Sequence, residues 1–418
     1  MALRHGGSAL SLEEIVEGGL CIGCGLCKSV AGAEKIEMVL TPEGRERPVA
    51  RAALDAATLA RINEICPGTR IEGAAPSEAP TDLVWGPAEH LAVGYAGDPA
   101  ERHRASTGGV LTALGQFLLT SGRVKFILHV AASKLSPLRT ERRLSFDAAS
   151  VLEGAGSRYG PAAPLEDFTA LLERAEPFAL IAKPCDIAAV RNLARIDPRV
   201  DRYLAYALTF VCGGASDLTK SEEVVSGFGI LPNQLSSFRY RGNGNPGPTR
   251  LETRDGRAFE LSYQEMWGDE ATWRIQPRCK ICPDAIGESA DLAASDVWPG
   301  GGPTGEDAGF NGIIVRTRRG LALYRAAVAA GAVVVEPRNL SFRDLDDFQP
   351  HQVRKKRAAW ARLAGMKAAG LAVPETHNLR LDECARMNTL AENLAEARGA
   401  RRRAKQGVLS EPPAVERS

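Results

Sequence analysis

The chain has 418 residues, of which 44% are hydrophobic and 25% charged. That length suits two or three domains, and the composition is ordinary for a globular protein, so neither disulfides nor metal staples are needed for bulk stability. Lys plus Arg number 52 against 51 Asp plus Glu, and a formal net charge of +1 argues neither for nor against nucleic acid or membrane partners.

The opening MALRHGGSALSLEEIVEGG lacks the apolar run of a signal peptide. No later segment approaches the ~20 apolar residues of a membrane-spanning helix. The expectation is a cytoplasmic protein with no membrane span. Thiols stay reduced there, so the nine cysteines call for a role other than disulfides.

Residues 9–20 read as a short acidic helix leading into the first cysteine cluster. Residues 49–65 repeat apolar side chains at helical spacing and stop at Cys66-Pro67-Gly68. The Ala-, Pro-, Ser- and Glu-rich stretch 71–86 reads as a linker closing an N-terminal module, 1–70. A longer region then alternates strands and helices. Ser106-Thr107-Gly108-Gly109 opens a helix over 110–122, followed by a strand over 124–130, a helix over 165–175 and a strand over 178–182. Lys183-Pro184-Cys185 begins another helix, and a strand over 203–211 ends at Cys212. From residue 236 a Gly- and Pro-rich loop precedes a hairpin turned by Asp255-Gly256. Cys279 and Cys282, a Gly-rich loop at 300–302, a strand over 312–317 and a helix over 321–330 complete this part. The tail, 398–418, is polar and reads as disordered.

Cys21-Ile-Gly-Cys24-Gly-Leu-Cys27 is the most specific motif. Two residues between successive thiolates let three sulfurs converge on one face of a cubic cluster, and Gly23 and Gly25 permit tight turns with N–H groups aimed at sulfur. A bacterial ferredoxin run places Cys-Pro three residues on; here the next Cys-Pro is Cys66-Pro67. One four-iron cluster is therefore assigned to Cys21, Cys24, Cys27 and Cys66, in preference to a structural zinc. Cys279-Lys-Ile-Cys282 alone is compatible with zinc, redox chemistry or chance. Cys185 follows one strand and Cys212 ends another, where ligand sites of α/β sheets gather. Those four complete a second four-iron cluster, the alternative being two buried cysteines beside a zinc-bound or free pair. Cys384 has no partner in either set and reads as inert.

The order CIGCGLC, STGGV, GSRY, KPCD, a lone Cys212, CKIC, ADLAASDVW and NGIIVRTRRG resembles the coenzyme F-420 hydrogenase/dehydrogenase beta-subunit family. It covers all but the tail. The resemblance implies an α/β (α+β) chain: a ferredoxin-like iron–sulfur module, then an FAD-binding α/β catalytic region in two parts, 87–233 and 234–397, the second carrying the second iron–sulfur site. Relatives with FAD and four-iron clusters act on a deazaflavin coenzyme or reduce organic substrates with ferredoxin electrons. The reductases of 7-hydroxymethyl chlorophyll and divinyl chlorophyllide are of the second kind. The resemblance further implies that Ser106, Thr107, Gly108 and Gly109 hold the flavin, as a Gly pair at a helix start can. Ser157, Arg158 and Tyr159 of the GSRY string add a cation and an aromatic face. Asp291, Asp296 and Trp298 match the acidic-plus-Trp segment. Arg316 either faces an anionic substrate or is a solvated strand residue, with the second preferred. The chain carries one N-terminal motif where many relatives carry two.

The resulting expectation is a flavoprotein oxidoreductase that moves electrons between ferredoxin, or another one-electron carrier, and a small-molecule substrate or deazaflavin coenzyme. His103, Tyr159 and Asp296 are the candidate proton donors. One alternative is a non-catalytic electron-transfer beta subunit of a formate dehydrogenase or hydrogenase complex. Another is a zinc-bound binding protein, with Arg354-Lys355-Lys356-Arg357 and Arg401-Arg402-Arg403 as a nucleic-acid patch. A solvated helix face and a solubilising tail are preferred for those runs, and no nucleic-acid partner is expected. Homo-oligomer and larger oxidoreductase complex both stay open.

Overall fold

A computed structural model describes residues 9–417. The first eight residues, where no signal peptide is expected and the N-terminal module begins, and Ser418 lie outside them. The frame is one mixed eight-stranded sheet. In chain order its strands are β1 His90–Ala96, β2 Phe126–Ala132, β3 Thr140–Ser145, β4 Phe178–Ile181, β5 Leu204–Phe210, β6 Leu292–Asp296, β7 Asn311–Val315 and β8 Val333–Asn339. Across the sheet they lie in the order β8, β1, β7, β6, β5, β4, β2, β3. The central β2, β4, β5 and β6 run parallel; β3, β7, β1 and β8 pair antiparallel to their neighbours.

Strands buried on both faces read as apolar runs, as FALI of β4 and GIIV of β7 do, and the one polar residue of β7, Asn311, has its side chain hydrogen-bonded. Successive side chains alternate between two cores. Phe126 and Leu128 join one core with Phe178 and Leu180, whereas Ile127 and Ala179 join the other. Helix α2 (Val110–Thr120) covers the second core; α3 (Pro184–Ala194) covers the first. Pro184 stands at the first position of α3, where its missing N–H costs nothing. The hairpin at Asp255-Gly256 forms as expected, joining Thr249–Thr253 to Ala258–Leu261 with Gly256 at φ 90°.

Three expectations change near the termini. The helix expected over 49–65 is α1, Ala56–Ile65, and Glu46–Ala50 is a strand paired with Ile36–Leu40. The stretch 71–86 is more than a linker: Arg70–Glu72 pairs with Glu375–His377, and Trp85 is fully buried with its indole N–H donating to Asp346 at 2.8 Å. The tail is ordered. Helix α4 (Pro350–Lys367) packs along α5 (Leu390–Lys405), and Ala400 and Leu409 share one core with Leu12, Ile15 and Ile62. The N-terminal module thus borrows its core from the C-terminal helices. Among the described residues no helix is long and apolar enough to cross a membrane.

Candidate functional site: two cysteine sets beside one cavity

The structure gathers the cysteines as two groups. Cys21, Cys24 and Cys27 lie on the turn into helix Leu26–Ala31, entered through Gly25 at φ 84°, and Cys66 ends α1. Burial raises all four thiols, Cys21 to about 11, and neighbours in the set push the same way on Cys21, Cys24 and Cys27. The N–H groups of Gly23 and Gly68 donate to the sulfurs of Cys21 and Cys66, each at 3.3 Å. In the second group, burial and then Cys279 push Cys212 up to about 12, and both Cys212 and Cys279 act on Cys185. Burial also raises Cys282, with Cys279 adding to it. The N–H of Ala215 donates to the sulfur of Cys279 at 3.4 Å. Arg278, beside Cys279, donates to the carbonyl of Pro67, beside Cys66, at 3.2 Å, and so ties the two groups together.

Buried thiols whose ionised forms would repel one another stay protonated, and a cation placed among them favours their ionisation. Among the described residues no three His, Cys, Asp or Glu side chains are gathered as a single metal ion requires. A cube of iron and sulfide is wider than one ion, so sulfurs that feel one another without converging are compatible with it. Cys384 stands apart, its thiol donating to the carbonyl of Leu83 at 3.0 Å.

A cavity of about 1100 Å³ opens at the carboxyl ends of β4, β5 and β6, where Ile181, Phe210 and Asp296 line it. Ligands of open α/β sheets bind at such ends. Cys212 and Cys279 stand in its wall, as do Ser106, Ser157, Tyr159 and the first turn of α2. Four buried polar atoms on lining residues have no partner: Asp186 Oδ1, Ser216 Oγ, Trp267 Nε1 and Trp298 Nε1. Such atoms are rare in folded proteins and call for a ligand or water that carries donors and acceptors.

Most expected cofactor residues meet here. The hydroxyl of Ser106 accepts from the N–H of Ser157 at 2.6 Å, joining the STGG and GSRY strings. Thr107 Oγ1 accepts from Asn311, whose side-chain oxygen in turn accepts from the N–H of Val110. Gly109 adopts φ 78° at the start of α2. Gly108 answers to protein rather than ligand: a Cβ there would meet Asn311 N and Oδ1 at 2.8 Å and Gly94 O at 2.9 Å. Arg158 also departs from expectation. Its guanidinium donates to the carbonyls of Phe238, Pro137, Leu138 and Arg139, leaving it a brace between loops.

Of the three candidate proton donors, Tyr159 and Asp296 line the cavity and His103 does not; His103 is exposed on helix Pro99–Arg104. Trp298 lines the cavity, but Asp291 is fully buried, accepting from Thr317 and Arg319 at 2.8 and 2.7 Å. Arg316 is neither solvated nor facing a ligand. It is buried and donates to the carbonyls of Trp85, Pro87 and Ile286. Nor is the run 354–357 a uniformly solvated face: Arg354 and Lys355 line the cavity, and buried Lys356 pairs with Glu288 at 2.5 Å.

One central residue was missed. Arg241, from the loop after residue 236, is buried in the cavity wall. It donates to the carbonyl of Ser106 at 2.8 Å and the hydroxyl of Tyr159 at 3.3 Å, and pairs with Asp296 at 3.4 Å. Its guanidinium carbon sits 4.7 Å from the ring centre of Trp298. Burial opposes its charge, but Asp296 and Tyr159 more than offset that and raise its pKa. No local pattern marks it, because its partners come from three distant segments.

Residues 91–168 match the model for the N-terminal part of the coenzyme F420 hydrogenase/dehydrogenase beta subunit, and residues 175–341 match that for its C terminus, together more than half of the chain. F420-dependent formate dehydrogenase 1 subunit beta of Methanococcus maripaludis is 26% identical over 59% of this chain and 62% of its own length. F420-dependent formate dehydrogenase subunit beta of Methanocaldococcus jannaschii is 24% identical over 56% of this chain and 58% of its own length. The chain thus spans about three fifths of these relatives. A chain in the F420-reducing NiFe hydrogenase complex from Methanosarcina barkeri shares the fold, with TM-score 0.55 and 17% identity over 71% of this chain and 98% of that one. This protein belongs to the coenzyme F420 hydrogenase/dehydrogenase beta-subunit family.

Proposed function

We propose that this chain is an electron-transfer subunit of a larger oxidoreductase assembly, and that it works on a deazaflavin coenzyme or a comparable two-electron carrier. The beta-subunit reading takes precedence over a free-standing, ferredoxin-fed reductase because both curated relatives are subunits by name. One observation carries the redox reading: Cys212 and Cys279 stand in the wall of the same cavity that Ser106, Tyr159 and Asp296 line.

Cys21, Cys24, Cys27 and Cys66 would hold one four-iron cluster, and Cys185, Cys212, Cys279 and Cys282 a second. The N–H···S bonds from Gly23, Gly68 and Ala215 would favour extra negative charge on those sulfurs. Ser106, Thr107, Gly109 and Ser157 would hold FAD, which supplies the exchange between one-electron and two-electron carriers. Arg241 fixes the positions of Ser106, Tyr159 and Asp296 and brings a positive charge to the cavity. Tyr159 and Asp296 are the groups placed to hold or move a proton there.

The test is anaerobic purification with counts of iron, sulfide, zinc and flavin. FAD with iron and sulfide enough for two clusters is expected, and Cys282→Ser should lose the second cluster's iron while keeping the first. Stoichiometric zinc with negligible iron would overturn the reading. Turnover of a small acceptor by the isolated chain, with no other protein present, would restore the free-standing reductase.

A further inference from the structure

A second, smaller cavity of about 390 Å³ shares a wall with the main one: Gly154, Gly156, Ser157 and Arg158 border both. Arg104 and Arg239 line the smaller cavity. Arg104 ends the helix Pro99–Arg104, and Arg239 ends the strand Leu235–Arg239. The loop after Arg239 fastens the two elements together. The N–H of Gly244 donates to the carbonyl of His103 at 3.0 Å, and Gly242 lies so near the carbonyl of Arg104 that a Cβ would meet it at 2.6 Å.

Among the described residues neither guanidinium has a hydrogen-bond or ion-pair partner. The one carboxylate lining the cavity, Glu153, is held by Arg143 at 2.7 Å and by Lys134 at 3.6 Å. Glu252 and Glu260, in the same sheet as Arg239, are each held by Arg250 at 2.8 Å. Unpaired arginines on a surface are commonplace and are satisfied by water. Arg239 differs, because its Nε is shut off from solvent with no acceptor, a rare condition in folded proteins. Burial and then Arg250 lower its pKa, Arg104 adds in the same direction, and Glu260 and Glu252 offset only part of this. Two guanidiniums facing one cavity without a counter-charge fit an anion, and the planar fork of arginine matches a pair of phosphoryl oxygens.

We propose that the smaller cavity is an anion site in which Arg104 and Arg239 hold the phosphoryl oxygens of a ligand. Two sources share that chemistry. The common wall makes the diphosphate of FAD one of them, and that source rests on the flavin reading of the main cavity. The other is a separate phosphorylated ligand, which does not.

The experiment uses the full chain, purified anaerobically and stripped of bound flavin. Fluorescence titrations with FAD and riboflavin, and calorimetric titration with inorganic pyrophosphate, are run on the parent, Arg104→Met, Arg239→Met and Arg239→Lys. Each Met variant should bind FAD or pyrophosphate more weakly by about tenfold or more, with riboflavin, which has no phosphate, unchanged. Arg239→Lys keeps the charge without the fork and should fall between parent and Met variant. A loss with FAD assigns the flavin's own diphosphate, and a loss confined to pyrophosphate assigns a separate phosphorylated ligand. If Arg239→Met does not fold, Arg104→Met, at an exposed helix end, decides. The proposal is overturned if the Met variants bind FAD and pyrophosphate as the parent does, if the parent binds neither, or if FAD and riboflavin weaken alike with pyrophosphate unmoved. A parent that binds pyrophosphate but no flavin would remove FAD from the proposed function, and the pyrophosphate titrations would still decide the anion site.

Discussion

Arg47 and Glu411, from opposite ends of the chain, form a two-point ion pair in which Nε and Nη2 of the arginine each donate to a carboxylate oxygen at 2.8 Å. The guanidinium is fully buried, and its remaining contacts are Glu46 O at 2.8 Å and Gln276 Oε1 at 2.9 Å. Arg45 carries the network to Asp217 at 2.8 Å, and the N–H of Glu411 donates to Glu17 O at 2.9 Å. The last residues of the chain thus strap the first cysteine set, where Arg47 opposes the burial that raises the thiol of Cys21.

Glu411→Ala should therefore destabilise the fold strongly. It leaves a guanidinium buried without its partner, and breaking one side of a buried pair costs about 3–5 kcal/mol. Denaturant unfolding of the variant is the measurement. Arg47→Met in the same background should recover part of the loss, because the uncompensated charge goes with it. A midpoint equal to the parent's would show that the pair holds nothing.

Gly108→Ala should lower stability whether or not flavin is present. The added Cβ would press on Asn311 and on the carbonyl of Gly94, which are main-chain and core neighbours that cannot swing aside. Overpacking of this kind costs about 1–3 kcal/mol. Thermal midpoints with and without added FAD check it. A fall seen only in the presence of FAD would return Gly108 to the ligand.

What local spacing decides was legible in the sequence. Cys21, Cys24, Cys27 and Cys66 were expected as one set, and the structure brings them close enough to act on one another. The strands behind Cys185 and Cys212 could be traced from their apolar runs. What long-range pairing decides was not legible. Arg158 and Arg316 read as cations free to meet a ligand, yet backbone carbonyls from distant loops take their donors. Arg241 read as loop, although three distant segments converge on it. The tail read as disordered from its polarity, since neither the pocket that takes Leu409 nor the buried Arg47 that binds Glu411 is local.

Acid should weaken the fold through His129. Burial, chiefly, lowers its pKa from 6.5 to about 4, and its Nε2 lies 2.7 Å from Ser145 Oγ. The unfolded chain binds a proton there below about pH 6.5, while the folded chain resists until about pH 4, so stability falls as pH drops through that window. The loss from this one group between about pH 7 and pH 5 is about 2 kcal/mol. Urea unfolding of the parent and of His129→Asn at both pH values tests it: the variant's acid loss should be smaller by about that amount. Equal losses would mean His129 titrates normally in the fold.

Arg241→Met should weaken flavin binding while leaving iron in place. The substitution keeps an apolar stem of similar length but removes the donors to Ser106 O and Tyr159 Oη and the charge opposite Asp296. Ser106 would lose its hold from one side while still accepting from Ser157, so the STGG and GSRY strings should stay joined but shift. Hydrogen bonds from charged groups are worth about 1.5–3 kcal/mol each, so losing one such contact's effect on the ligand should weaken flavin binding about tenfold to hundredfold. None of the eight cysteines of the two sets is among the hydrogen-bond partners of Arg241, so iron content should not change. Arg241→Lys keeps the charge without the planar fork and should fall between parent and Met variant. Flavin fluorescence titration with a parallel iron assay reads both quantities. Lost stability with unchanged flavin affinity would make Arg241 a brace like Arg158, and the positive charge in the cavity would then have to come from other lining cations, Lys183, Lys355 and Arg354 among them.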